Sequence, residues 1–466
     1  MSMSSAHPLR YRMRLVLLVA TSSAAACASS PAARPAAPPG PASRPAPSAS
    51  RRDTATVSTV PPASVIPPAH VTPGSDDRRA GRARATTSSV ASPSGPAPAA
   101  RVRGSRTSVA RLSARNDTIA VSKLHGTVMV CAGGDVTLGT NLDKGWSTTA
   151  SADMRARFGA SDEPAALLAP LRPIVSASDI LLLNIESAIG EGRTASKCGV
   201  RSTNCFAFRS PPAAAPALRA LTAGAVVGNI ANNHARDAGD DGVDRTIATL
   251  RGAGILVTGA DTLATPVRTA AGDTIGVLGF YTSSDTPDAR DTAAVFRHVA
   301  RAAKRYPVVI ATMHLGAEGR GAQQTLDQRE IFLQIDRGNP VAFADAAVRG
   351  GAALVVGHGP HVLRGMEWRD GGALIAYSLG NLLTYGPFVL KEPANRGGVL
   401  CATIGTNGRV RGAMLLSTMQ VAPGVLSRDP SRRAVHLVDS LSRLDFPRSG
   451  IRADRDGMLH PGLPPD

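Results

Sequence analysis

Five stretches of this chain end an apolar run on side chains that carry oxygen or nitrogen. Thr127–Val130 leads through Cys131-Ala132-Gly133-Gly134 to Asp135, and Asp179–Ile185 leads to Glu186. Ala225–Ala231 leads to Asn232-Asn233-His234, Pro307–Met313 to His314, and Ala352–Val356 to Gly357-His358-Gly359-Pro360-His361. Carboxylate, amide oxygen and imidazole without thiolate suit Mn, Fe or Zn, often as a pair of ions. An isolated buried carboxylate such as Glu186 is costly, so it needs a cation. The Gly-Pro turn between His358 and His361 stiffens their spacing, which is how a ligand pair is held before the metal arrives.

The elements that must position these groups alternate. Short apolar runs without charge read as buried strands. Between them lie helical stretches at about 240–252, Ala293–Arg305 and Pro340–Arg349, with another in Pro430–Leu444. Strands alternating with helices give a mainly parallel sheet whose carboxyl ends gather on one edge, where ligands bind in open α/β sheets. Gly398–Gly405 and Val410–Met419 read as a closing hairpin through Asn407-Gly408.

The chain has 466 residues and a formal net charge of +17. Residues 1–124 hold seventeen Lys or Arg against four acids, +13 of that total, leaving +4 on the remainder. The charge is therefore a property of the N-terminal arm. With no nucleic-acid-binding motif in the rest, a nucleic-acid function is excluded. Arg10, Arg12 and Arg14, then apolar Leu15–Ala20 and small residues to Cys27, read as an export signal over 1–27. Cys27 is a possible lipidation site. Residues 28–124 are rich in Pro, Ala and Arg and cannot bury enough apolar area to fold, so a long disordered linker is expected.

Cys198 and Cys205 bracket a short polar loop in what should be an oxidising compartment, and a disulfide is expected there. Cys131 and Cys401 lie in apolar strands and read as buried thiols.

Six motifs then stand in order: GDVTLG (134–139), NIES (184–187), ANNHARDAGDDG (231–242), HLGAE (314–318), GHGPHV (357–362) and YSLGN (377–381). Together they resemble the CapA family of capsule-synthesis and poly-γ-glutamate biosynthesis proteins, related to the calcineurin-like metallophosphatases. The resemblance covers 125–420 and implies an α/β fold, a four-layer α/β/β/α sandwich. Residues 421–466 follow as a C-terminal helix and tail.

By motif, the resemblance makes Asp135 a ligand of the first metal and Glu186 the bridge. Asn233 and His314 bind the second metal, and His358 and His361 serve one each. His234 becomes the general acid, while Glu318 orients water or His314. Asn184, Arg209 and Asn381 are candidates to meet substrate, with a simple surface cation as the other reading of Arg209. Thr137 stands where ordinary metallophosphatases carry a metal-binding His, and Leu315 and Gly319 replace the Trp and Tyr frequent in the family.

The implied function is that of an exported protein of the periplasm or cell envelope. It would be a hydrolase or transferase using two divalent ions (Mn, Zn or Fe), with an anionic surface polymer or its precursor as partner. Membrane contact through a lipid anchor and contact with the capsule synthesis machinery are further expectations. The alternative is a non-catalytic scaffold or polymer clamp.

Overall fold

The structure, a computed structural model, describes residues 124–192, 197–198 and 205–462. The expected export signal, Cys27 and the linker to residue 123 lie outside the described residues. What is described is a mixed α/β protein built on two large sheets.

The first sheet is centred on strand Val128–Leu138. On one side this strand pairs in parallel with Ile180–Ile185, which continues in parallel to Ala225–Asn229 and Leu256–Thr258. On the other it pairs antiparallel with Arg396–Ile404, and its final residues pair in parallel with Asn381–Tyr385. Arg396–Ile404 and Val410–Val421 form the expected hairpin. The sequence reads the residues after the last helix as a tail, yet Met458–His460 pairs with Val410–Val421, and Arg452–Ala453 pairs with it in turn.

In the second sheet, Thr274–Tyr281, Val309–His314, Ala352–His358 and Ala373–Ala376 run parallel. Antiparallel edge strands Thr265–Arg268 and Met366–Arg369 close it. The mainly parallel sheet expected from the sequence is thus two mixed sheets with parallel centres. Local sequence marks where a strand is but not which strand it will pair with, so one edge-forming series looks the same as two.

Alternation along each strand explains the packing. Ile180 and Leu182 join a cluster with Ile310, Leu354 and Val356 of the second sheet. Leu181 and Leu183 point the other way and pack with Met154, Leu168, Leu218 and Leu250 from the helices. In the second sheet, Val309, Ala311 and Val355 turn instead to Val295, Val299 and Phe343 of helices Thr292–Ala303 and Pro340–Arg349. Strands buried on both faces read as unbroken apolar runs, which is why these were legible. Pro340 fits the first turn of its helix, and Asn339 caps it by accepting from the N–H groups of Val341 and Ala342.

The cysteines need one correction. Cys131 and Cys401 are not thiols but a disulfide, because antiparallel pairing puts them directly opposite one another across 270 residues of chain. Cys198 and Cys205 form the second disulfide. Among the described residues no helix is long and apolar enough to cross a membrane.

Candidate metal centre

Each sheet supplies part of one site. Asp135 lies in the first strand at a register shift, a β-bulge that re-aims side chains near a strand end. The preceding Gly134 is required there, since a Cβ would sit 1.9 Å from the carbonyl oxygen of Gly380. Glu186 follows the neighbouring strand. From the second sheet come His314 and His358, the last residues of adjacent strands and register partners. His361 sits beyond Gly359-Pro360 with φ +59°, a left-handed conformation unusual outside glycine that turns the ring back toward the carboxylates.

Ligand atoms of Asp135, Glu186 and His361 lie within 4.8 Å of one another. His361 Nδ1 is 3.0 Å from Asp135 Oδ2, and its Nε2 is 3.5 Å from Glu186 Oε1. His314 Nε2 is 3.6 Å from Glu186 Oε1, and His358 Nδ1 is 3.8 Å from Asp135 Oδ1. Asp135, Glu186, His314 and His358 are all essentially inaccessible to solvent.

Burial on this scale sets the electrostatics. It acts to raise Asp135, but the hydrogen-bonded His361, with His314 and His358, holds that carboxyl well below its ordinary range. Glu186 is pushed well up, by burial first and then by the Asp135 charge. Burial also drives His314 well down and His358 down to about 4. His361 goes the other way: burial opposes its charge, but Glu186 and Asp135 together hold it up to about 10. The protein alone thus leaves one carboxyl and one imidazolium to compensate an otherwise uncomfortable cluster.

Three asparagines orient the centre. The Ala231 N–H donates to Asn229 Oδ1 and the His234 N–H to Asn232 Oδ1, which fixes both amides. Their Nδ2 groups donate to Asn184 Oδ1, at 3.0 Å from Asn229 and 3.2 Å from Asn232. Asn184 therefore turns its NH2 to Asp135 Oδ1 at 2.8 Å and His314 Nδ1 at 3.1 Å. With Nδ1 accepting, the neutral His314 ring carries its proton on Nε2, facing Glu186. A cation at Nε2 needs the other neutral tautomer, with the proton on Nδ1 and the Asn184 amide turned to accept it.

His234 belongs to a second small network. Its Nδ1 is 2.6 Å from Asp237 Oδ2, and Asp237 Oδ1 is 2.5 Å from Lys197 Nζ. Asp237 is fully buried and also accepts from the Phe208 N–H at 2.6 Å. Lys197 neighbours the Cys198–Cys205 disulfide and donates to the Asn233 carbonyl at 3.0 Å. Burial lowers the His234 pKa, while the Asp237 carboxylate opposes that and favours the charged ring.

The remaining sequence-expected residues fall in different places. Glu318 sits 3.9 Å from His361 Nε2 and is paired at 2.8 Å with Arg337. Asn381 supports His361 Nδ1 at 3.0 Å and donates to the Ala394 carbonyl. Thr137 donates to the Glu186 carbonyl at 3.0 Å. Arg209 is buried and committed to Asn141 and the Gly192 carbonyl, with no contact to the cluster among its bonds. The sequence analysis singles out none of Asp237, Lys197, Asn229 and Arg337. An i, i+3 His-Asp pair was the one local signal on offer.

The donor set fits a cation. Both oxygens of Glu186, Asn233 Oδ1, His314 Nε2 and both His358 nitrogens are buried without a hydrogen-bond partner. Buried polar atoms are nearly always partnered, and orphaned polar atoms beside the Asp135–Glu186–His361 cluster are what a metal site looks like without its ion. A cavity of about 310 Å³ adjoins the centre, lined by Asn233 and Tyr281 among others, with the Tyr281 ring 5.5 Å from that of His314.

The family model described as bacterial capsule synthesis protein PGA_cap matches residues 129–385, a span that contains every residue of the centre. No curated protein matches the chain.

Proposed function

Since the chain belongs to the bacterial capsule synthesis protein PGA_cap family, we propose that it is an exported, metal-dependent hydrolase or transferase of surface-polymer metabolism. The observation that carries this reading is the set of orphaned buried donors around Asp135 and Glu186. Asp135, Glu186, Asn233, His314, His358 and His361 would hold the metal, as one or two ions of Mn, Zn or Fe. The three apolar clusters, one shared by the sheets and one on the helical side of each, support the four-layer α/β/β/α sandwich of the metallophosphatases.

When bound, divalent ions in such a centre polarise a phosphoryl or carbonyl oxygen and lower the pKa of water. The chain's own residues do the rest. His234 donates the proton to the leaving group. Asp237 accepts from Nδ1, which leaves Nε2 as the nitrogen that exchanges a proton with substrate, and its charge favours the imidazolium that donation requires. Lys197 fixes Asp237 from the far side. Asn184 and Asn381 orient Asp135, His314 and His361 rather than meeting substrate. Glu318 stands at the accessible edge beside His361, placed to orient water.

Two disulfides favour an oxidising, extracytoplasmic location, with Cys27 as a lipid anchor and an anionic polymer or its precursor as substrate. The test is turnover of a generic phosphodiester and of short polyglutamate with Mn added. His234→Ala should keep its metal and lose about 10²–10⁴ in rate. Full capsule complementation by His234→Ala, with metal-ligand variants failing, would assign the metal a structural role and leave the scaffold reading standing.

A further inference from the structure

Arg337 is only 3% exposed, yet it uses one of its three guanidinium nitrogens. Nη1 pairs with Glu318 Oε1 at 2.8 Å, while Nε and Nη2 are buried and have no partner. The guanidinium carbon stands 6.0 Å from the centroid of Tyr281, the ring that lines the cavity and contacts His314. Its backbone is tied to the loop after His314, since the Gly316 N–H donates to the Arg337 carbonyl at 2.8 Å. The side chain is therefore held beside the metal centre by the same loop that carries Glu318.

We propose that Arg337 receives an oxyanion of the substrate, a carboxylate or phosphate oxygen, through its two unpartnered nitrogens. This rests on the function proposed above and deepens it by naming the residue that selects an acidic substrate. A guanidinium offers N–H donors in a fixed fork and no acceptor, which matches a carboxylate or phosphate and little else. Leaving buried donors of a charged group unpaired is costly, and an arriving oxyanion removes that cost. A plain counter-ion for Glu318 would need only the contact Nη1 already makes. Nε and Nη2 are what distinguish a binding residue from a spectator.

The experiment is isothermal titration of the full chain with inorganic phosphate and, in parallel, with glutarate. It uses both metal-loaded and chelator-stripped protein. Arg337→Gln should bind the preferred anion at least about tenfold more weakly in both states, and the anion with the larger loss identifies the oxyanion. Glu318→Gln should bind as tightly as wild type or more tightly. The double variant Arg337→Gln/Glu318→Gln, which removes both partners and covers the case in which the single variant misfolds, should stay as weak as Arg337→Gln. Affinity within about twofold of wild type in the double variant would overturn the assignment, as would a wild-type chain that binds neither anion. Wild-type protein that takes up no metal on loading yet shows Arg337-dependent binding would sink the metalloenzyme reading and leave this one intact.

Discussion

His314 Nε2 and Glu186 Oε1 face each other at 3.6 Å across the junction of the two sheets, both buried and neither with a hydrogen-bond partner. One residue ends a strand of the second sheet, and the other follows a strand of the first. Such a gap is too long for a hydrogen bond and suits a shared cation. Removing either group should therefore empty the site. His314→Ala and Glu186→Gln are expected to lose most bound metal while keeping a cooperative unfolding transition, checked by elemental analysis beside circular dichroism.

Asp237→Asn separates proton transfer from metal binding. The amide cannot hold His234 through a charge-assisted bond, so turnover should fall about 10- to 100-fold with metal content unchanged. Lys197→Met, one residue further out, should cost less. Equal loss in both variants would mean that the loop around Lys197, not the His-Asp pair, is what matters.

The residues of the buried cluster were legible because each stands at the end of its own apolar run, and that signal is local. Asp135, Glu186, His314 and His358 need nothing from elsewhere in the chain to be picked out. Their supports are not local. Lys197 reaches Asp237 from a loop 40 residues earlier, and Arg337 reaches Glu318 from a segment that carries no motif of its own. Cys131 and Cys401 read as separate buried cysteines until antiparallel pairing puts them side by side. In the same way Met458–His460 has little strand signal and is recruited by the exposed edge of Val410–Val421.

The two disulfides should differ in their effect. Closing 270 residues removes far more freedom from the unfolded chain than closing seven. Loop entropy alone gives about 5 kcal/mol for Cys131–Cys401 and about 2–3 kcal/mol for Cys198–Cys205. Denaturant titration of Cys131→Ala/Cys401→Ala and Cys198→Ala/Cys205→Ala should rank them in that order. Non-reducing peptide mapping should recover both linkages.

Chelator-treated protein should lose stability on both sides of neutrality. His358 is pushed down to about 4 by burial, so between pH 6.5 and 4 the unfolded chain binds a proton that the folded chain rejects. Its contribution is present above pH 6.5 and lost as pH falls through 4. His361 is held up to about 10, against burial, by Glu186 and Asp135. Its contribution is complete below pH 6.5 and lost as pH rises through 10. His358→Gln should flatten the acid limb of the denaturation midpoint against pH, and His361→Gln the alkaline limb.

Metal content of the purified chain tests the central claim most directly. Protein expressed with Mn or Zn supplementation, purified without chelator and measured by elemental analysis, should carry about one to two equivalents of divalent metal, since such sites normally purify loaded. The Glu186→Gln variant, prepared in parallel, should carry little. Wild-type protein with less than about a tenth of an equivalent, or with content that Glu186→Gln leaves unchanged, would contradict the account.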